Sequence, residues 1–456
     1  MGKLWQKGYT LDTLMEQFTV GDDYLLDRNL VGADCLGSIA HARTLHKAGI
    51  LNTRELEDLE RGLGEILRLD TEGKFDITLS DEDCHTAIEA YLTEHFGDAG
   101  KKIHTGRSRN DQVQTALRLW MREFVLRLSL ETSQLANDLS NFAQEYEFVP
   151  MPGRTHMQLA MPSSVGLWAA SFAEELLDEA LLLQNLQALL DQSPLGSAAS
   201  YGTPLALDRS FSAQQMGFSK VQNNVLYANN SRGKFEAIVL DGCDYVGLTL
   251  SKLAQDLILF SLPEIAYFSL PKELCTGSSI MPQKRNPDGL ELTRSRSALI
   301  SSCAQRVKGI IRSLPSGYNR DFQDTKEPLF SGTKHALLSV RVMRSMIQRL
   351  QVNEAALRSG CVSELYATDE VLKRLSAGAS FRDVYREVGM DLGSVATYDP
   401  DETIRNRTSE GTTGNLGLGV VQETCKQVEL ECEGMLASLE STYTTLTGME
   451  LQLVRW

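Results

Sequence analysis

An all-α fold built on a long central helical bundle is what this sequence predicts, from three observations. Arg107–Val149 runs for 43 residues without Gly or Pro, enough for a helix of about 65 Å at 1.5 Å per residue. Similar breaker-free runs occur at Leu167–Ser193, Leu248–Leu262 and Thr333–Ser359. The prolines are confined to the middle of the chain, none before Pro150 and none after Pro400, and β-hairpin signals are sparse. At 456 residues the chain is too long for one compact core, which points to two or three domains.

The longest run carries Val113, Leu117, Trp120, Phe124, Leu128, Leu135, Leu139, Phe142 and Tyr146 at intervals of three, four or seven, the stripe of an amphipathic helix. Leu119, Val125, Leu126 and Leu130 fall off that stripe and imply a second buried face. Leu250, Leu253, Leu257 and Phe260 give the third run its own stripe. A helix apolar on more than one face has to bury itself against several others. Packing between subunits is therefore expected, with a long intramolecular bundle as the alternative.

Composition narrows the function. Forty-five Lys and Arg against 60 Asp and Glu leave a net charge of −15, the wrong sign for a partner of nucleic acid or of anionic membranes. No apolar run reaches the roughly 18–20 residues of a membrane span, and Met1–Gln6 has no signal-peptide stretch. The eight cysteines contain no C-x-x-C pair, so reduced, packed thiols are expected and no metal site is indicated. The reading is a soluble cytoplasmic protein.

Three polar segments interrupt the helical runs and carry groups that a core does not need. His104-Thr105-Gly106-Arg107-Ser108-Arg109-Asn110-Asp111 precedes the longest helix. Ser108 and Asp111 fit a capping box, but two arginines and an asparagine at the positive end of a helix suit a carboxylate or other anion. Gly153-Arg154-Thr155-His156, followed by Pro162-Ser163-Ser164, reads as a loop that places a histidine outside any packed helix. Gly277-Ser278-Ser279-Ile280-Met281-Pro282-Gln283-Lys284-Arg285-Asn286-Pro287 joins mobile hydroxyls to a cation and a helix start. There Asn286 reads as the N-cap and Pro287 as the first helical residue. Such a loop can activate a group and stabilise developing negative charge.

The third segment matches the G-S-S-x-M-P-x-K-x-N-P pattern of the fumarase/aspartase superfamily, and His104–Asp111 matches the H-T-G-R-S-R-N-D segment of the argininosuccinate lyases within it. The G-x-T-H-x-Q-x-A-x-P stretch at Gly153–Pro162, Ser193–Ser197 and Tyr318–Lys326 are also similar, and the resemblance reaches at least residue 330. It implies three helical domains, expected here at 1–106, 107–355 and 356–456, with the central one contributing to a twenty-helix core in a homotetramer. It further implies active sites shared between subunits and no cofactor or metal. The implied reaction is reversible cleavage of argininosuccinate to arginine and fumarate, in arginine biosynthesis. A proton leaves Cβ, and the charge spreads onto the neighbouring carboxylate as an aci-carboxylate.

By the same resemblance Ser278 is the base, Lys284 offsets charge, and His156 is the second catalytic residue with Glu291 as its carboxylate partner. A serine hydroxyl is too weak an acid to serve without activation by its site. Ser108, Arg109, Asn110, Thr155, Lys284 and Asn286 map onto positions that grip the succinyl end, while Asp27, Tyr318, Gln323 and Lys326 map onto the arginine side. Asp23 stands where many relatives carry serine, and Asn230–Lys234 replaces a common S-D/E-R-D segment, so that Arg232 alone is carried over. Residues 407–415 do not resemble the usual ending. The alternatives are a lyase releasing fumarate from another N-substituted aspartate and a crystallin-like structural protein.

Overall fold

The computed structural model describes residues 12–396 and 398–456; the Met1–Gln6 start read above lies outside them. The chain opens with α1 (Thr13–Val20), α2 (Val31–Lys47), α3 (Thr53–Thr71) and α4 (Cys84–Phe96). The central helices are α5 (Arg109–Glu145), α6 (Val165–Leu190), α7 (Lys234–Phe260), α8 (Asp288–Ile311) and α9 (Lys326–Ile347). Two short helices, α10 (Ala367–Ser376) and α11 (Phe381–Met390), precede the 30-residue α12 (Leu418–Thr447). Among the described residues no helix is long and apolar enough to cross a membrane.

The long run starting at Arg107 becomes the 37-residue α5. Its capping box forms: the Ser108 hydroxyl accepts the Asn110 N–H, and the Asp111 carboxylate accepts the Ser108 N–H at 2.9 Å. The second apolar face is real, but its partners lie in the same chain. Helices α2, α6, α9 and α12 surround α5, so the expectation that α5 itself packs between subunits is corrected. The unpartnered apolar residues sit instead on other helices: Leu182 and Leu189 on α6, Tyr245 and Leu248 on α7, and Leu292 and Leu299 on α8.

Two boundaries differ from the sequence reading, the first because glycine reads as a breaker. Helix α7 begins at Lys234, not near Leu248, and runs through Gly242 and Gly247. A Cβ on Gly242 would come within 3.2 Å of both Leu183 and Leu186, so glycine there lets α6 and α7 approach closely. The run Thr333–Ser359 is divided: α9 ends at Ile347, residues 351–352 pair with 268–269, and Asn353 caps a new short helix by accepting the Ala356 N–H.

Residues 356–456, expected as one C-terminal domain, also divide by packing. Leu365, Tyr366, Val371, Val384, Val388 and Val395 form a small core of their own, whereas α12 lies along α5 and α6 in the main core. The tail beyond α12 returns to α5. Glu123 accepts the N–H groups of Leu453 (3.0 Å) and Val454 (3.2 Å), and the Trp456 ring lies 5.2 Å from that of Trp120.

Asp111 ties the start of α5 to the following connection. Its Oδ2 accepts the N–H groups of Gly196 (3.0 Å) and Ala198 (2.9 Å), and the carboxylate is fully buried. Asp111→Ala would strand these donors, and an unmade buried hydrogen bond costs about 1–3 kcal/mol. The expected outcome in denaturant unfolding is a loss of about 2–4 kcal/mol, with Asp111→Asn milder because its amide oxygen still accepts.

Candidate active site

The predicted residues gather at two places. At the start of α5, one cleft is lined by Asp23, Glu82, Asp83, Arg109, Asn110, Arg232, Tyr318, Arg320, Gln323 and Lys326. These come from the α1–α2 connection, the turn before α4, the first turn of α5, the turn before α7 and the segment before α9. Its free volume is only about 40 Å³.

Lys326 forms its floor. The Nζ lies 2.6 Å from Asp27 Oδ1 and 3.0 Å from Asp23, with the lysine and Asp27 both buried. Burial alone would lower the lysine pKa, but the two carboxylates outweigh it and hold the ammonium charged, its pKa raised. Burial pushes the Asp23 carboxyl up, against the pull of Lys326. The second oxygen of Asp27 accepts the Cys84 N–H at 3.2 Å.

Arg109 is held by acids that the sequence reading passed over. Its Nη1 donates to Glu82 and Asp83, both at 3.1 Å, and its Nη2 donates to Thr86 Oγ1 at 2.6 Å. Burial opposes its charge, but these carboxylates raise its pKa. Glu82 sits at φ 69, a left-handed conformation uncommon outside glycine. The signal that could have found this wall is Asp81-Glu82-Asp83-Cys84-His85, five consecutive ionisable residues across the start of α4. Gln323 donates its NH2 to the carbonyls of Thr19 and Val20, both at 3.1 Å. Its amide oxygen has no partner among the described residues. Arg232 lies 5.8 Å from the Tyr318 ring centroid.

Asp27, Cys84 and His85 bring potential metal ligands within 4.8 Å of one another. The Lys326 ammonium already occupies the cation position beside Asp27, and His85 Nδ1 is committed to Asp34 at 3.0 Å. A dication there would face a buried positive charge, so the donor set does not fit a metal ion.

The remaining predicted residues lie at the opposite end of the bundle. Thr155 and His156 belong to a hairpin, β1 (Pro150–Thr155) and β2 (Gln158–Ser164), where the sequence reading expected a loop. His156 and Met157 form its two-residue turn at φ 54 and φ 63, the paired left-handed geometry that matches strand twist. His156 is thus held out into solvent at a tip with backbone strain. The hairpin end is tied to the end of α7, since the Trp168 ring lies 6.2 Å from Phe260 and 5.0 Å from Phe268.

From that end the chain enters β3 (Thr276–Gly277), the Ser278 loop and β4 (Arg285–Asn286). The ladder pairs Thr276 with Asn286, so Asn286 is a strand residue and not the expected N-cap. The α8 helix starts at Asp288, with Pro287 preceding it. Strand pairing pulls Asn286 out of the capping geometry, and the Thr276 hydroxyl bonds Asp288 instead. The Ser278 Oγ accepts two N–H groups of its own loop, from Met281 at 3.1 Å and Ile280 at 3.3 Å. Lys284 and Glu291 are both exposed, and among the described residues no hydrogen bond or ion pair joins His156 to Glu291 or Ser278.

Residues 6–301 match a family described as lyase. The argininosuccinate lyase of Thermotoga neapolitana is 42% identical over 391 residues, spanning 86% of this chain and 98% of that protein. That of Sorangium cellulosum is 41% identical over 416 residues, spanning 91% and 96%. Among solved structures, EDDS lyase in complex with formate aligns with a TM-score of 0.78 at 21% identity, covering 97% of this chain and 95% of that one. A class II fumarase from Schistosoma mansoni aligns at 0.70 and 18%, covering 87% and 96%. These two likenesses bear on the fold.

Electrostatics beside the cleft set a pH dependence. Burial, followed by the charges of Arg107 and Arg109, lowers the His104 pKa from 6.5 to about 4. Between these values the unfolded chain binds a proton at His104 that the folded chain refuses, so stability falls as pH drops from 6.5 to 4. His104→Gln should flatten that part of the curve of unfolding free energy against pH. Parallel curves for the two proteins would remove His104 from the acid response.

Proposed function

The chain belongs to the argininosuccinate lyase family: it is a carbon–nitrogen lyase, and we propose that it cleaves argininosuccinate reversibly to arginine and fumarate at composite sites assembled from several copies of itself. The observation that carries this reading is the separation of its functional groups. Arg109 opens α5 and the His156 hairpin follows its far end, about 55 Å away at helical rise. The Ser278 loop precedes α8 and Tyr318 follows it, about 36 Å apart on the same arithmetic. A substrate the size of an amino-acid conjugate spans neither distance. Copies packed antiparallel bring the serine end of one chain to the cleft of another.

The surface supports that assembly. The exposed leucines of α6 and α8 recur at seven-residue spacing, and Tyr245 and Leu248 extend the apolar face across α7. Helices with such faces pack as bundles across subunits. A homotetramer with a twenty-helix core is the arrangement proposed, acting in the cytoplasm, where unpaired cysteines such as the eight here remain reduced.

In the proposed reaction Ser278 takes the Cβ proton. The two N–H donors on its Oγ favour the alkoxide over the neutral hydroxyl. Electrons from the broken C–H bond pass onto the adjacent carboxylate. Ser108, Arg109 and Asn110, together with Thr155, Lys284 and Asn286 from other copies, hold the succinyl carboxylates. Collapse of this species expels the guanidino nitrogen, which is protonated as the C–N bond breaks, with His156 and Glu291 supplying or relaying that proton. On the arginine side Asp23, Asp27, the free Gln323 oxygen, Tyr318, Lys326 and Arg232 receive the cationic and carboxylate groups.

Two measurements test this. With argininosuccinate as substrate, fumarate absorbance should rise, and Ser278→Ala should reduce the rate by at least about 10³-fold without loss of assembly. Undiminished turnover would remove Ser278 from the mechanism. Hybrids formed by dissociating and mixing inactive Ser278→Ala and Asn110→Ala proteins should regain activity. Proven hybrids that stay inactive would rule out sites shared in this way.

A further inference from the structure

The apolar face shared by α6, α7 and α8 carries an acid at its centre. Leu177 and Asp178 flank the midpoint of the 26-residue α6, and Glu179 follows them. Gly247 is the middle residue of the 27-residue α7, with Tyr245, Leu248 and Thr249 one or two positions away. Leu299 stands at the middle of the 24-residue α8. Leu182, Tyr245, Leu248 and Leu299 are all exposed. Glu179 lies one helical turn from Leu182 and is bonded to Thr249, next to Leu248, so it sits among apolar side chains that the chain itself leaves uncovered.

This carboxyl is only half satisfied. Its Oε1 accepts the Thr249 hydroxyl at 2.5 Å, while its buried Oε2 has no hydrogen-bond partner among the described residues. Lys252, on α7, donates instead to both oxygens of Glu175 at 3.1 Å. The other helices packed on α6 bring no cation here. Helix α12 meets it through Glu431, which accepts from Gln184 at 2.7 Å, and α5 through Ser129, bonded to the Ala180 carbonyl at 2.7 Å. Burial, reinforced by the charges of Glu175 and Asp178, pushes the Glu179 carboxyl up to about 8 against the Thr249 hydrogen bond and Lys252.

Copies packed antiparallel, with the serine end of one at the cleft of the other, overlap along their whole length. The two-fold axis relating them then crosses each helix near its middle, where residues meet their own counterparts. We propose that Glu179 enters the contact between two copies as a neutral carboxylic acid and that its ionisation loosens the assembly, an inference that rests on the shared-site arrangement above. Covering the face removes the remaining water around the carboxyl and further favours its neutral form. A neutral acid also carries a proton to donate from the orphaned oxygen, so opposing groups can pair where two carboxylates would repel. The acid therefore holds its proton more tightly in the assembly than in the separate copy. Below about pH 8 both forms are protonated and association is unaffected. Above it the separate copy releases a proton that the assembly must retain, so association weakens as pH rises.

The test is sedimentation of the full-length protein over a dilution series from about pH 7 to about pH 9.5 at constant ionic strength. Association of the parent should weaken at least about tenfold over that range, with its helical circular dichroism unchanged. Glu179→Gln keeps the shape of the side chain without the charge and should assemble equally well throughout. Thr249→Val removes the hydroxyl that steadies the carboxylate and should move the transition to higher pH. Assembly of the parent that ignores pH, a parallel loss in Glu179→Gln, a transition unmoved by Thr249→Val, or unfolding in place of dissociation would each overturn the proposal. A chain that stays monomeric at pH 7 would overturn it together with the shared sites. Assembly that responds as described but yields no fumarate from argininosuccinate would overturn the proposed activity alone and leave this inference standing.

Discussion

A helix rises 1.5 Å for each residue whatever its sequence, and the 37 residues of α5 therefore hold its two ends about 55 Å apart. The candidate site residues are arranged around that length. The cleft is built where α5, α7 and α9 begin, and the serine loop and histidine hairpin are built at the other end. Helix α5 is buried inside its own chain and serves as the spacer between these two ends. The apolar faces left on α6, α7 and α8 are what remains for other copies to cover.

Within the cleft the decisive balance is between desolvation and pairing. Lys326 and Asp27 are out of water, and each is tolerable only because of the other. Arg109 is likewise neutralised by Glu82 and Asp83. The cleft thus holds its cations on internal acids, and under the proposed function a carboxylate-bearing substrate competes with those acids. That suits a ligand carrying both signs of charge, since the acids it displaces from the cations become available to its own guanidinium and ammonium.

Much of this was legible in the sequence, for identifiable reasons. The stripe from Val113 to Tyr146 has one periodicity and no breaker, so α5 could be drawn almost to its ends. The capping box at Ser108 and Asp111 is a local device and was read locally. Glycines used for close packing, as at Gly242, look identical in sequence to glycines that end helices, and α7 was shortened for that reason. Asn286 was misread because its strand partner, Thr276, lies ten residues away across a loop whose pairing no local rule specifies. The acids around Arg109 were missed because a run of charged residues usually marks a solvated face. Glu82 and Asp83 become informative only once the fold buries them.

The tail of the chain has a consequence for the order in which the molecule can be made. Glu123 is buried within α5, and besides Arg127 its hydrogen bonds come from the N–H groups of Leu453 and Val454, some 330 residues downstream. Trp120 and Phe124 likewise wait for Trp456. On a ribosome adding about 5–20 residues per second, the middle of the longest helix waits tens of seconds after it emerges for the contacts that the tail supplies. During that interval Glu123 has Arg127 as its partner but lacks the two tail N–H groups. The last residues of the chain therefore complete the packing of its longest helix, and the bundle closes only when synthesis is finished.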